Sequence, residues 1–99
     1  MIIILGSIVA RRDTFNALLK SGLEHVHRSR TEPGCISHAV HVDSENPLKL
    51  VFVEKWKDAA AVATHFKVKG SIDFVGQARE LAAEAPVIEI FEASAAKLG

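Results

Sequence analysis

The 99-residue chain has a single cysteine, Cys35, so it cannot close an internal disulfide. A reducing setting is the simpler reading, and the expected location is the cytoplasm. No CxxC or Cys/His ligand spacing is present, and no glycine-rich phosphate loop of the GxGxxG type. Twelve Lys+Arg balance twelve Asp+Glu, leaving no net charge to attract nucleic acid or an anionic membrane. The apolar N-terminal stretch MIIILGSIVA is too short to span a bilayer. Its arginines, Arg11 and Arg12, follow it rather than lead it, which argues for a buried strand over a signal peptide. There is no internal repeat and no low-complexity linker, and the length suits one domain.

What is present is a chain that is 48% hydrophobic with clear periodicities. Ile2 to Ala10 is β-branched and continuous, as in a central strand. Asp13 is placed to cap a helix. On that helix Phe15, Leu18, Leu19, Leu23 and Val26 make one apolar stripe, and Glu24 and Arg28 form an i,i+4 pair. Pro33 and Gly34 end it near Arg30. Cys35 to Asp43 alternates, with Ile36, His38, Val40 and Val42 on one face and Cys35, Ser37, Ala39, His41 and Asp43 on the other. Ser44 to Pro47 reads as a hairpin turn and Leu48 to Lys57 as the next strand. Asp58 caps a helix from Ala59 to about Phe66. Gly70-Ser71 breaks it, and a further helix runs from Ser71 to about Ala85. Val87 to Ala93 is the last strand, and Ala95 to Gly99 a loose tail.

The order βαββαβ, with the second helical region split, predicts a ferredoxin-like α+β fold: an antiparallel sheet with helices on one face. Ile2 to Leu5 and Leu50 to Val53 are apolar on both faces, and Val87 to Phe91 nearly so. Helices cover only one of those faces. A second sheet from an identical chain is the simplest cover, so a two-fold homodimer is expected.

Several side chains are candidates for chemistry. His65 is a candidate base for a phenol or enol, since a histidine's unperturbed pKa lies near neutrality; the alternative is a histidine that caps or bonds the helix terminus. Trp56 is either an aromatic wall with its N–H aimed at a substrate oxygen or a core anchor with that N–H on a carbonyl. Glu54 shares the face of Trp56 and needs a partner: it orients His65, binds substrate, or pairs with one of the arginines. Phe52, Phe66 and Phe74 are core residues that would line any pocket and suit a planar hydrophobic ligand. The second helix reverses after Lys57-Asp58 and can carry His65 back above Phe52 to Glu54. His38 and His41 lie on opposite faces of an edge strand and cannot share an ion, and no carboxylate cluster accompanies them. Neither a metal nor any other cofactor is expected. Cys35 reads as a small buried hydrophobe.

Glu32-Pro33-Gly34-Cys35, the strand Val51-Phe52-Val53-Glu54-Lys55-Trp56, and Asp58 through His65 resemble the antibiotic-biosynthesis monooxygenase (ABM) family, over roughly positions 1 to 93. The resemblance implies a dimeric α/β barrel of two facing sheets, with a pocket in each subunit between sheet and helices. It also implies cofactor-independent oxidation by O₂ of a small quinol- or anthrone-like aromatic. Trp56 and His65 are then the catalytic candidates, with Phe52, Glu54, Val62, Phe66 and Phe74 against the substrate. The chain departs from the family at four places. The pocket asparagine and tyrosine of anthrone-type members fall on Phe52 and Val62. Haem-degrading relatives carry a histidine on the later helix, and Ser71 to Ala85 has none. A second histidine common in the family falls on Gly70. The alternatives are a non-catalytic dimer binding a small hydrophobe and an isomerase acting on a small oxygenated metabolite.

Overall fold

A computed structural model describes residues 1–98. The elements are β1 (Ile2–Val9), α1 (Phe15–Ser29), β2 (Cys35–Asp43), β3 (Asn46–Trp56), α2 (Ala59–Lys67), α3 (Lys69–Leu81) and β4 (Val87–Glu92). The four strands form one antiparallel sheet in the order β2-β3-β1-β4, the ferredoxin-like α+β arrangement.

The two-residue period of a strand decides what the helices cover. Ile2, Ile4, Ile8 and Ala10 of the first strand region, and Leu50, Phe52, Glu54 and Trp56 of β3, are all buried on the helix side. The apolar members fall into two groups. Ile8, Leu50 and Phe52 pack with Leu18 and Val26 of α1 and with Phe74 and Ala78 of α3. Ile2, Ile4 and Trp56 pack with Val62 of α2. Between them along β3 sits Glu54, paired across the sheet with Ile4 on one side and His38 on the other. A polar band thus divides the core.

The helices leave the other sheet face open. Leu5 is more than a third exposed there, and every residue of β4 is exposed, including Val87, Ile88, Ile90 and Phe91. Among the described residues no helix is long and apolar enough to cross a membrane.

Local expectations fail where a tertiary contact intervenes. Asp13 does not cap α1. The N-cap is Thr14, whose hydroxyl receives the Arg11 N–H at 3.0 Å and donates to the Leu81 carbonyl at 2.6 Å, tying the start of α1 to the end of α3. Asp13 instead turns outward to Arg11, 3.6 Å away. Leu23 leaves the apolar stripe and is 39% exposed. Arg28 does not pair with Glu24; it reaches Glu32, 3.8 Å away, and His25, because both lie on its buried side. A bulge between Cys35 and Ser37 shifts the alternation of β2. Ile36 is thereby exposed, and Cys35 packs toward Trp56 on the face of His38.

The hairpin tightens to Ser44-Glu45, with Asp43 accepting the Glu45 N–H at 2.7 Å, so β3 starts at Asn46 rather than Leu48. Asp58 caps α2 as expected, accepting the Ala61 N–H at 2.9 Å. The break between α2 and α3 is at extended Val68, not at Gly70. Gly70 instead lies in the first turn of α3, where a Cβ would come 2.5 Å from the Arg28 guanidinium. α3 ends at Leu81, short of Ala85, because Ala82 turns extended and bridges to Ala10. Ala95 to Leu98 have no regular structure, and Gly99 of the expected tail lies outside the described residues.

Candidate functional site

The polar band is built from five elements of chain that are distant in sequence. Glu54 enters from β3, His38 from β2, His25 from α1, His65 from the last turn of α2, and Glu32 from the turn before β2. Glu54 Oε1 accepts the Trp56 indole N–H at 2.9 Å. The same oxygen lies 3.1 Å from His38 Nε2 and 3.8 Å from His65 Nε2. His65 Nδ1 meets Glu32 Oε1 at 2.7 Å, with the Ser71 hydroxyl 3.4 Å away. A carboxylate only accepts, so an imidazole N–H of His65 lies on Nδ1. His25 stacks on Phe74 at a centroid distance of 4.3 Å and accepts from Arg28 at Nδ1.

Burial and neighbours set the ionisation of this group. Burial alone would raise the Glu54 carboxyl, but His38, the Trp56 N–H and His65 outweigh it and hold the group below the usual carboxylate range. Glu54 is therefore an anion. His25 is pushed down to about 3, first by burial and then by His38, Arg28 and His65, so it is neutral. Burial, with Glu54 and Glu32 nearby, raises the Cys35 thiol and keeps it protonated.

His25, Glu54 and His65 form the polar end of a cavity of about 280 Å³ between the sheet and α3. Its apolar walls include Phe52, Phe66, Phe74 and Ile88. Gly6 also lines it: a side chain at this β1 position would project toward Phe52, so glycine leaves the space open.

Of the seven residues singled out in the sequence, Phe52, Glu54, His65, Phe66 and Phe74 are brought to this cavity. Trp56 and Val62 are not. Trp56 is wholly buried, 4.4 Å from the His65 ring by centroids, and acts behind Glu54; its N–H meets a carboxylate, neither a substrate oxygen nor a backbone carbonyl. Val62 belongs to the apolar group under Ile2 and Ile4. Glu54 pairs with no arginine, because the histidines reach it first. His65 does not use its ring to close its own helix end. His38 is not solvated at the sheet edge but fully buried, whereas His41 is exposed.

Sequence reasoning missed His25, Glu32 and Ser71. His25 had a signal: it is seven residues after Leu18, on the same helix face as Gly22 and Ser29, all buried. Glu32 had none beyond its place in the EPGC run, since its partner is 33 residues away. His38 and His41 do lie apart, but the fold sets His38 beside His25 and His65 instead.

The model of the family described as antibiotic biosynthesis monooxygenase matches residues 1–77. An uncharacterised protein of Synechocystis sp. is 29% identical over 91 residues, which cover 92% of this chain and 62% of that protein. The chain thus spans under two thirds of the length of that curated relative. Among solved structures, a candidate antibiotic biosynthesis monooxygenase from Deinococcus radiodurans superposes with a TM-score of 0.93 at 23% identity, covering 99% of this chain and 97% of that one. A protein from Shewanella oneidensis gives 0.85 at 26% identity, with 91% and 87% covered. These likenesses establish the fold.

Proposed function

The chain belongs to the antibiotic biosynthesis monooxygenase family, and from that premise we propose that it oxidises a small planar phenol- or quinol-like molecule with O₂, using His65 as the base. The observation that carries this reading is the His65–Glu32 pair. An imidazole whose Nδ1–H is fixed on a carboxylate at 2.7 Å presents its basic Nε2 at the polar end of an apolar cavity. The carboxylate holds the tautomer and stabilises the imidazolium that forms on proton transfer, the logic of a histidine–carboxylate dyad.

The chemistry balances without an external reductant. His65 Nε2 removes a proton from the substrate hydroxyl or enol. The resulting anion gives one electron to O₂, and the two radicals combine to form a carbon–oxygen bond. The peroxide anion takes the proton back from His65. Loss of water across the C–H and O–O bonds then leaves a carbonyl. One oxygen atom ends in the product and one in water, and all four electrons come from substrate. Phe52, Phe66 and Phe74 hold the ring, and the volume, at the low end of ligand pockets, suits one or two fused rings. The ionised Glu54 at the same end disfavours an anionic substrate group beside it, so the substrate enters neutral.

The test is O₂ uptake by purified protein with one- and two-ring quinols, in a chelating buffer without flavin. Uptake should require His65 and fall at least tenfold in His65→Ala. Ligand binding without any O₂ uptake, or full activity in His65→Ala, would overturn the base assignment; the first outcome would favour a binding dimer.

We also propose that the functional unit is a homodimer. Val87 and Phe91 are about half exposed, and they pair with Ser7 and Ile3 on the open face that carries Leu5. A contiguous exposed apolar face of this kind marks an interaction surface. Sedimentation at micromolar concentration should give twice 10.7 kDa or a multiple of it, and Val53→Asp should dissociate or unfold the assembly. A folded wild-type monomer would refute the proposal.

A further inference from the structure

Three of the chain's five histidines converge from three separate elements. One nitrogen from each of His25, His38 and His65 lies within 4.8 Å of the other two, and all three residues are buried. The remaining pair, His27 and His41, are exposed. A buried imidazole normally has its nitrogens hydrogen-bonded. His38 is an exception: its side chain is fully buried, yet among the described residues neither ring nitrogen has a hydrogen-bond partner. Its Nε2 lies 3.1 Å from Glu54 Oε1, but the ring does not aim an N–H along that line. The same oxygen is 3.8 Å from His65 Nε2.

Those separations have a natural reading. Ligand atoms about 2.0–2.2 Å from a tetrahedral ion are roughly 3.3–3.6 Å from one another. The 3.1 and 3.8 Å contacts bracket that edge, and they join a carboxylate oxygen to two imidazole nitrogens. We propose that His25, His38, His65 and Glu54 bind one divalent transition-metal ion. Three imidazoles and one carboxylate suit zinc, copper, nickel, cobalt or ferrous iron, and not the oxygen-seeking magnesium or calcium.

The surroundings suit the same role. Glu32 fixes the Nδ1–H of His65 and leaves Nε2 for the ion, and the Trp56 N–H anchors the Glu54 oxygen. Arg28 donates to His25 Nδ1, so binding through the other nitrogen requires that ring to release its proton or Arg28 to turn to Glu32, 3.8 Å away. His25, Glu54 and His65 face the cavity, which gives the ion a way in. One consequence rests on the base assignment above: an ion on His65 Nε2 takes the lone pair that proton abstraction needs. Ion binding and metal-free turnover are then mutually exclusive states of one pocket.

The test is a titration of chelator-treated full-length protein with Co²⁺, followed by its visible d–d absorption, a readout independent of turnover. One equivalent per chain should bind saturably, and Zn²⁺ should displace it. His38→Ala and Glu54→Gln should weaken binding at least tenfold, while His27→Ala and His41→Ala should not change it. Where circular dichroism shows that His38→Ala does not fold, Glu32→Gln serves, since it keeps all four ligands and should still cost tenfold or more. Absence of saturable one-to-one binding, or wild-type binding by these site variants, overturns the proposal. O₂ uptake in chelator tests the base, and the Co²⁺ titration tests the ion, so each can fail alone.

Discussion

Gly34→Ala should be among the most costly single-methyl changes in this protein, for two separable reasons. Gly34 has φ 85°, in the left-handed region, where an L side chain costs about 1–2 kcal/mol. A Cβ there would also lie 2.5 Å from the Cβ of Ala61 on α2. That atom is not the end of a flexible chain, so the loop or the helix must move, at a further cost of about 1–3 kcal/mol. The sum, roughly 2–5 kcal/mol, is a large share of the stability of a domain this size. The Gly34 carbonyl also accepts the Lys57 N–H at 2.8 Å, so the strain falls on the joint between β2, β3 and α2 that places Glu32 beside His65. Urea unfolding should show a lower midpoint at unchanged slope. Ala61→Gly in the same chain removes the clash but not the backbone cost, so a double-mutant cycle should return about 1–3 kcal/mol of coupling. A loss below about 0.5 kcal/mol in Gly34→Ala, or no coupling to Ala61→Gly, would refute the geometry argued for this turn.

Other outcomes follow from the same site. Gly6→Ala should keep or slightly raise the unfolding midpoint, since its Cβ meets Phe52 and Val87 only at 3.7 and 3.8 Å, while weakening binding of two-ring ligands measured by calorimetry. Glu32→Gln should lower kcat by on the order of tenfold to a hundredfold with KM little changed, checked by steady-state O₂ uptake. Acid should destabilise the metal-free protein earlier than carboxylate protonation alone. The His25 pKa is about 3 in the fold against 6.5 in the unfolded chain, so its contribution is complete above pH 6.5 and is lost as pH falls toward 3. The slope is at most about 1.4 kcal/mol per pH unit. His25→Phe should flatten a plot of unfolding free energy against pH over that window, and an unaltered slope would count against a buried neutral His25.

The strands were legible because apolar, β-branched runs are bounded by turn residues, and β1 and β4 fall where those runs do. The position of His65 was also legible, since a helix reversing at Asp58 can only run back along β3, and it ends 3.8 Å from Glu54. What failed was decided by contacts distant in sequence. Asp13 does not cap α1; the N-cap position falls on Thr14, whose hydroxyl is taken by the Leu81 carbonyl 67 residues away rather than by the helix. The bulge at Ile36 leaves no mark in composition. The apolar stripe of α1 was traced through hydrophobic residues, which passes over Gly22, His25 and Ser29; yet those are buried and Leu23 is not. The buried face of α1 is set partly by polar groups, so a reading that follows apolar residues alone rotates it.

Glu54 lies two residues from Phe52 and two from Trp56 on one buried strand face, a position where an apolar side chain would join the two apolar groups into a single core. Replacing a buried charged pair with well-packed apolar groups is often neutral or stabilising by about 1–4 kcal/mol. Stability therefore gives no account of Glu54, of His38 with both ring nitrogens unbonded, or of His25 held neutral against Phe74. The same band supplies a basic imidazole nitrogen with a fixed tautomer and a cavity beside it. It also supplies four ligand-type side chains from four different elements. Apolar replacement of His38 and Glu54 together should therefore cost more O₂ uptake and ion binding than unfolding free energy.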